Sequence, residues 1–286
     1  MSAIEIAIFG PNSGVAAVRA VGQRLNGKTR LELNRSESYG QDGLTPFMRE
    51  LEQLDDSLHQ AGLKDVPVRI MIRPRGGNFI YSDAEFEKMK SDLLEFKGSQ
   101  CMREKRGDGF VFGILKESSS DAQRLVVDRE RTAELRGLAG PDFQCVFHRA
   151  FDQVIATARD DNGWKTELEW LEMQKMAVLT SGGRGNASNN AKVLRKVLDE
   201  TSLTGQELIV GGGVRSETLE SMLNDMGGLG RIFALTSLRG VGMVLHSSFL
   251  TPMLRDNIMF FDVLEARKFK TTLDVTTEKQ LAKARS

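Results

Sequence analysis

The chain has only two cysteines, three histidines, two tryptophans and two tyrosines among 286 residues. Two thiols, Cys101 and Cys145, exclude a disulfide scaffold and any four-thiolate metal site. No C-x-x-C or H-x-x-x-H pair occurs, so spacing alone marks no metal centre. Charge of one sign is also missing: 39 basic residues face 39 acidic ones, for a formal net charge of zero. That removes the bulk electrostatic case for nucleic acid or an acidic membrane as partner. No apolar run reaches the ~18 residues of a membrane span. The N-terminus lacks the basic lead of a secretory signal and places Glu5 inside its apolar stretch. These absences predict a cytoplasmic protein with reduced thiols.

What is present is globular: 40% hydrophobic and 27% charged residues. The length suits one large domain, and α/β barrels of about 250 residues reach it routinely. Short β-like runs at 4–9, 30–33, 68–72, 109–115, 145–148, 177–180 and 207–210 alternate with helical spacing at 15–25, 47–58, 84–96, 126–138, 168–173, 191–198 and 218–226. A last run falls in 232–235 or 241–245. Runs such as Ile70-Met71-Ile72 are apolar on both parities, as in parallel strands covered on both faces. The expected fold class is α/β: a TIM (β/α)8-type barrel spanning 1–286 as a single domain, with an insertion at 231–242 and a closing segment at 262–286. An open doubly wound sheet is the alternative.

Local signals fit those units. Ser82 followed by Asp83 and Glu85 reads as a helix N-cap, and Gly62 and Gly137 stand where C-cap glycines would. The polar stretch 117–123 reads as a βα loop. The stretch 276–284 reads as a closing helix capped by a threonine.

In a barrel, the loops after the strands share one rim, and that rim carries function. Arg73 and Arg75, flanking Pro74 and followed by Gly76-Gly77, suggest a two-guanidinium clamp for a carboxylate or phosphate, or a pair bound to acidic rim residues. His148, at the end of its run beside Arg149 and near Asp152, is a candidate acid or base, or a core histidine held by Asp152. On a regular strand only one of His148 and Arg149 would point into the mouth. Two glycine-rich turns, Ser181-Gly182-Gly183 and Gly211-Gly212-Gly213, are candidate anion seats or simply tight turns. Glu32 is a candidate carboxylate facing the same mouth. Copper(I) prefers thiolate and thioether ligands, which makes Cys101 (beside Met102) and Cys145 the candidate metal ligands.

These residues fall in an ordered series of blocks. Met71-Ile-Arg-Pro-Arg-Gly-Gly-Asn-Phe-Ile-Tyr-Ser-Asp83 is joined by Gly43-Leu-Thr-Pro46, Gly107-Asp-Gly-Phe110, Phe147-His-Arg-Ala-Phe-Asp152, Leu179-Thr-Ser-Gly-Gly183, Gly211-Gly-Gly-Val214 and His246-Ser-Ser248. Together they resemble the CutC copper homeostasis family. The resemblance implies a TIM-barrel-like fold and a cytoplasmic protein linked to copper. It departs from the family pattern at Asn78, where Asp is frequent; at Asn34, where a Cys often follows Glu-Leu; and at Val244-Leu245-His246, where a carboxylate is lost. Two functions are therefore expected in parallel. One is copper(I) binding by soft side chains. The other is binding or turnover of a small anionic or phosphorylated metabolite, with the arginines as clamp and His148, assisted by Glu32 or Asp152, moving a proton. A barrel without turnover, self-associated through an apolar helix face, is the third reading.

Overall fold

Alternate residues of the first strand, Glu5, Ala7 and Phe9, cannot share an environment with Ile4, Ile6 and Ile8, because strand side chains alternate between faces. In the computed structural model, which describes residues 3–22, 29–228, 243–248, 250–252 and 259–283, the isoleucines pack outward under helices and the other parity faces a closed interior.

Eight parallel strands close that interior. In chain order they are β1 (Ala3–Phe9), β2 (Thr29–Asn34), β3 (Val68–Met71), β4 (Gly109–Phe112), β7 (Gln144–Phe147), β8 (Ala177–Thr180), β9 (Leu208–Val210) and β10 (Met243–Ser247), the last pairing with β1. Between β4 and β7 the chain inserts an antiparallel hairpin, β5 (Leu115–Ser118) and β6 (Asp121–Val127). A second small ladder joins β11 (Leu250–Pro252) to β12 (Met259–Phe261). The helices are α1 (Gly14–Val21), α2 (Met48–Gln60), α3 (Asp83–Lys97), α4 (Arg129–Ala139), α5 (Ala150–Thr157), α6 (Asp161–Met173), α7 (Ala191–Thr204), α8 (Ser216–Asp225) and α9 (Val263–Lys283). The expected TIM-type barrel is the fold. No helix among the described residues is long and apolar enough to cross a membrane.

The interior is layered. At its floor Arg30 bridges Glu5 at 2.5 Å and Glu207 at 2.8 Å, with Arg69 3.6 and 3.5 Å from the same two carboxylates. Above lies an apolar layer of Met71, Val111, Val146, Leu179, Ile209 and Val244, one residue from each of six strands. Beyond it the strands end and the mouth opens.

Several local expectations change. Ser82 caps α3 as expected, its hydroxyl accepting from Glu85 N–H while Glu85 accepts from Ser82 N–H. Gly62 follows α2 with φ 73°. Gly137, however, lies inside α4, and Gly140, with φ 87°, ends it. The 117–123 stretch lies in the β5–β6 hairpin rather than an irregular loop. The closing helix begins at Val263, well before Thr276, which is buried within it instead of capping it. The last barrel strand is Met243–Ser247. The expected insertion at 231–242 lies outside the described residues.

Candidate functional site at the barrel mouth

A cavity of about 570 Å³ opens at the C-terminal ends of the strands. That volume lies within the range of small-molecule sites, about 300–1,000 Å³. Glu32, Arg73, His148, Asp152, Gly183, Gly212 and Gly213 all line it, joined by Arg149, Arg184, Arg215 and His246. Segments far apart in sequence thus meet at one opening.

His148 follows the last residue of β7, and because the strand has ended, it and Arg149 both reach the cavity. Its Nδ1 accepts from the Ala150 N–H at 3.2 Å, which leaves the proton on Nε2. Nε2 is buried without a partner. Burial, then the Arg73 charge, pushes the His148 pKa down to about 3, so the ring is neutral at ordinary pH. Phe79 packs against the imidazole, ring centroids 4.8 Å apart.

Asp152 does not hold His148. Its carboxylate, presented by the first turn of α5, accepts from Thr180 Oγ1 (2.6 Å), Ser181 N–H (2.7 Å), Ser181 Oγ (2.7 Å) and Arg149 Nε (2.8 Å). It ties α5 to the end of β8 and aims Arg149 along the mouth. Ser181 is therefore saturated within this network.

The two clamp arginines separate. Arg73 lines the cavity, but its guanidinium donates to the carbonyls of Gln41 (2.6 Å), Gly43 (3.2 Å) and Gly77 (3.1 Å), and it lies over the Phe79 ring. Arg75 turns away, bound to Glu85 at 2.5 Å and to the carbonyls of Asn78 and Ile80. Each rigidifies the loop after β3. Three further cations line the mouth: the exposed Arg184, and the half-buried Arg149 and Arg215, which donate to Asp152 and Ser247.

The glycine turns are close approaches. Gly212 has φ +95°, and a Cβ there would come 2.9 Å from Ser181 Cβ and 3.1 Å from Arg149 Cζ. At Gly211 a Cβ would fall 2.7 Å from Leu179 and 2.9 Å from His246 Nδ1. Gly182 packs under α7, whereas Gly183 lines the cavity.

Deeper in the mouth, Glu32 accepts from Asn34 Nδ2 at 3.0 Å through Oε1, while Oε2 lies 3.2 Å from His246 Nε2. Glu5 Oε1 is 4.0 Å from the same nitrogen. Burial opposes both charges, but their mutual attraction wins: the Glu32 pKa is lowered and that of His246 raised. Neither Glu5 nor His246 stands out in the sequence as a site residue. Glu5 could have been found from its inward parity in β1, and His246 from its position at a strand end.

Neither thiol joins the cavity. Cys101, after α3, is half-buried, and burial together with Asp55 raises its pKa. Cys145 faces the outer core between strands and helices, where burial pushes its thiol up to about 11. Among the described residues, the sole cluster of three His, Cys, Asp or Glu ligand atoms is Glu5, Glu32 and His246, which holds no sulfur. Neither cysteine belongs to a cluster of this kind among the described residues.

A closed parallel barrel with a ligand-sized cavity at its strand ends defines a (β/α)8 protein, a class in which function gathers at the loop-lined mouth. The family model described as CutC family matches residues 12–233. The chain belongs to the CutC family. It is 33% identical to a family protein CutC of Proteus mirabilis over 78% of this chain and 76% of the relative. It is 32% identical to the copper homeostasis protein cutC homolog of Homo sapiens, over 80% and 74% of the two chains. A crystal structure of CutC from Streptococcus agalactiae superposes with a TM-score of 0.60 at 23% identity, covering 87% of this chain and 99% of that one.

Proposed function

We propose that this CutC-family barrel binds a small anionic, phosphate- or carboxylate-bearing molecule in its mouth. The observation that carries the reading is the convergence of Arg149, Arg184 and Arg215 with Gly183, Gly185, Gly212 and Gly213 on one cavity that a neutral histidine also lines. Guanidiniums recognise such anions through paired N–H bonds. Backbone at Gly183–Gly185 and Gly212–Gly213 can approach an oxyanion closely for want of a Cβ.

His148 would serve as a hydrogen-bond donor from Nε2. A pKa near 3 makes it a weak base but a competent polarising group for a carbonyl or phosphoryl oxygen. Asp152 acts through Arg149 and Ser181, as a positioning residue.

Titration with inorganic phosphate and simple phosphate monoesters, followed by thermal unfolding, tests this. We expect stabilisation of the wild type and at least about tenfold weaker binding in Arg184→Ala, which removes an exposed guanidinium. Equal stabilisation of the two proteins would end the reading.

The second reading, cytoplasmic copper(I) binding, draws on the human relative's name. Copper(I) would need a thiolate from Cys101 or Cys145, each held protonated by its surroundings. Competition titration of copper(I) against the Cys101→Ser, Cys145→Ser double variant decides it: thiol ligation predicts loss of affinity, and equal weak binding excludes it.

A further inference from the structure

Three ligand-capable atoms converge inside the barrel, where Glu32 Oε2 and His246 Nε2 form an ion-pair contact of 3.2 Å. Glu5 Oε1, Glu32 Oε2 and His246 Nε2 are all buried, none makes a well-aligned hydrogen bond, and all lie within 4.8 Å of one another. Glu5 Oε1 stands 4.0 Å from a nitrogen that Glu32 already engages, which is costly for a buried oxygen, and three donor atoms this close suit an occupant. We propose that Glu5, Glu32 and His246 bind one divalent first-row transition-metal ion at the base of the mouth cavity.

The supporting shell is built for single-oxygen ligation. The other oxygen of each carboxylate is already engaged: Glu32 Oε1 by Asn34 Nδ2 at 3.0 Å, and Glu5 Oε2 by Arg30 Nε at 2.5 Å. Each carboxylate is thus oriented by a neighbour through one oxygen and presents the other toward His246, as metal ligands are oriented by their outer contacts. Metal–ligand bonds of about 2.0–2.2 Å at a tetrahedral centre separate the donor atoms by roughly 3.4 Å. The observed Nε2 separations of 3.2 and 4.0 Å bracket that value.

The charge balance agrees. Glu5, Glu32 and Glu207 outnumber the guanidiniums of Arg30 and Arg69 by one negative charge, and the proton that Glu32 favours on His246 leaves when the imidazole ligates the ion. A divalent ion turns that surplus into one positive charge beneath the cavity. Two carboxylates and an imidazole suit zinc, manganese or iron(II), and the absence of sulfur disfavours copper(I).

The test uses the full chain and metal alone. Mn²⁺ uptake is read from loss of its free-ion paramagnetic resonance signal, and Zn²⁺ uptake from competition with a chromophoric chelator. We expect one equivalent of either ion, with zinc the tighter, and affinity reduced at least tenfold in both Glu32→Gln and His246→Gln. Asn34→Ala, which frees Glu32 without removing a ligand, should lose affinity to a smaller degree. His59→Gln, an exposed site elsewhere, should leave it unchanged. Zn²⁺ should also raise the unfolding temperature of the wild type more than that of the folded variants. No stoichiometric uptake by the wild type, or uptake by Glu32→Gln and His246→Gln within twofold of it, overturns the proposal. The Arg184→Ala titration with phosphate leaves these ligands intact, so the two ideas fail separately.

Discussion

At the scale of single residues, the two mouth histidines respond to burial in opposite directions because of what stands beside them. His148 has a cation, Arg73, as its charged neighbour, whereas His246 has two carboxylates. The unfolded chain binds a proton at His148 near its ordinary pKa of 6.5, and the folded chain resists until about 3. Stability from a neutral His148 is therefore complete above 6.5 and declines as pH falls through that window. His246, with its folded pKa raised, contributes stability that is complete below 6.5 and lost at higher pH, so it adds no slope below 6.5. Carboxylates such as Glu32 join only below their ordinary value of 4.5. Between pH 4.5 and 6.5, then, unfolding free energy should rise with pH by about 1.4 kcal/mol per unit at most. Urea unfolding of His148→Gln should show that slope flattened; parallel slopes in the two proteins would show that His148 is not its source.

At the scale of elements, the short polar pieces resisted the sequence and the long periodic ones did not. The α2, α3 and α7 helices lie where apolar spacing puts them, because each has one face in the core. The α5 helix was hidden because it starts immediately after His148-Arg149, inside what looked like a loop motif. The β5–β6 hairpin was hidden because only one face of it is covered, so its residues are mostly polar. The turn after β9 carries the clearest elemental prediction. Gly212→Ala would place a methyl against Ser181 and Arg149 in a left-handed backbone conformation. Such strain is worth of order 1–3 kcal/mol. We expect a lowered unfolding midpoint together with weakened phosphate binding, since Arg149 must move; unchanged binding in a destabilised protein would show that this turn only supports the fold.

At the scale of the whole molecule, the floor quartet connects strands β1, β2 and β3 to Glu207 at the entry of β9, across the seam where β10 rejoins β1. Removing one charge from a buried network leaves its partners uncompensated, at a cost of about 3–5 kcal/mol when fully buried. Glu207 is partly exposed, so Glu207→Gln should cost less, about 1–3 kcal/mol, seen as a lower chemical-denaturation midpoint. A neutral result would mean that Arg30 and Arg69 are satisfied by Glu5 alone. The α9 helix packs against α1 and α8, so its buried Phe269 and Leu273 complete the outer layer at that same seam.

The alternation of apolar runs, read with their both-parity hydrophobicity, determined the barrel, because strands covered on two faces leave that pattern in any sequence. The ordered blocks determined the family. The rim residues Glu32, His148, Asp152 and the glycine turns were also legible, since strand ends are where a barrel collects function. Only the tertiary structure separated Arg73 from Arg75, gave Asp152 to Arg149, and set Cys101 and Cys145 apart from the mouth. It alone also brought Glu5 from the first strand to Glu32 and His246. Such contacts depend on how the strands stagger around a closed sheet, and that stagger is fixed only when the last strand pairs with the first.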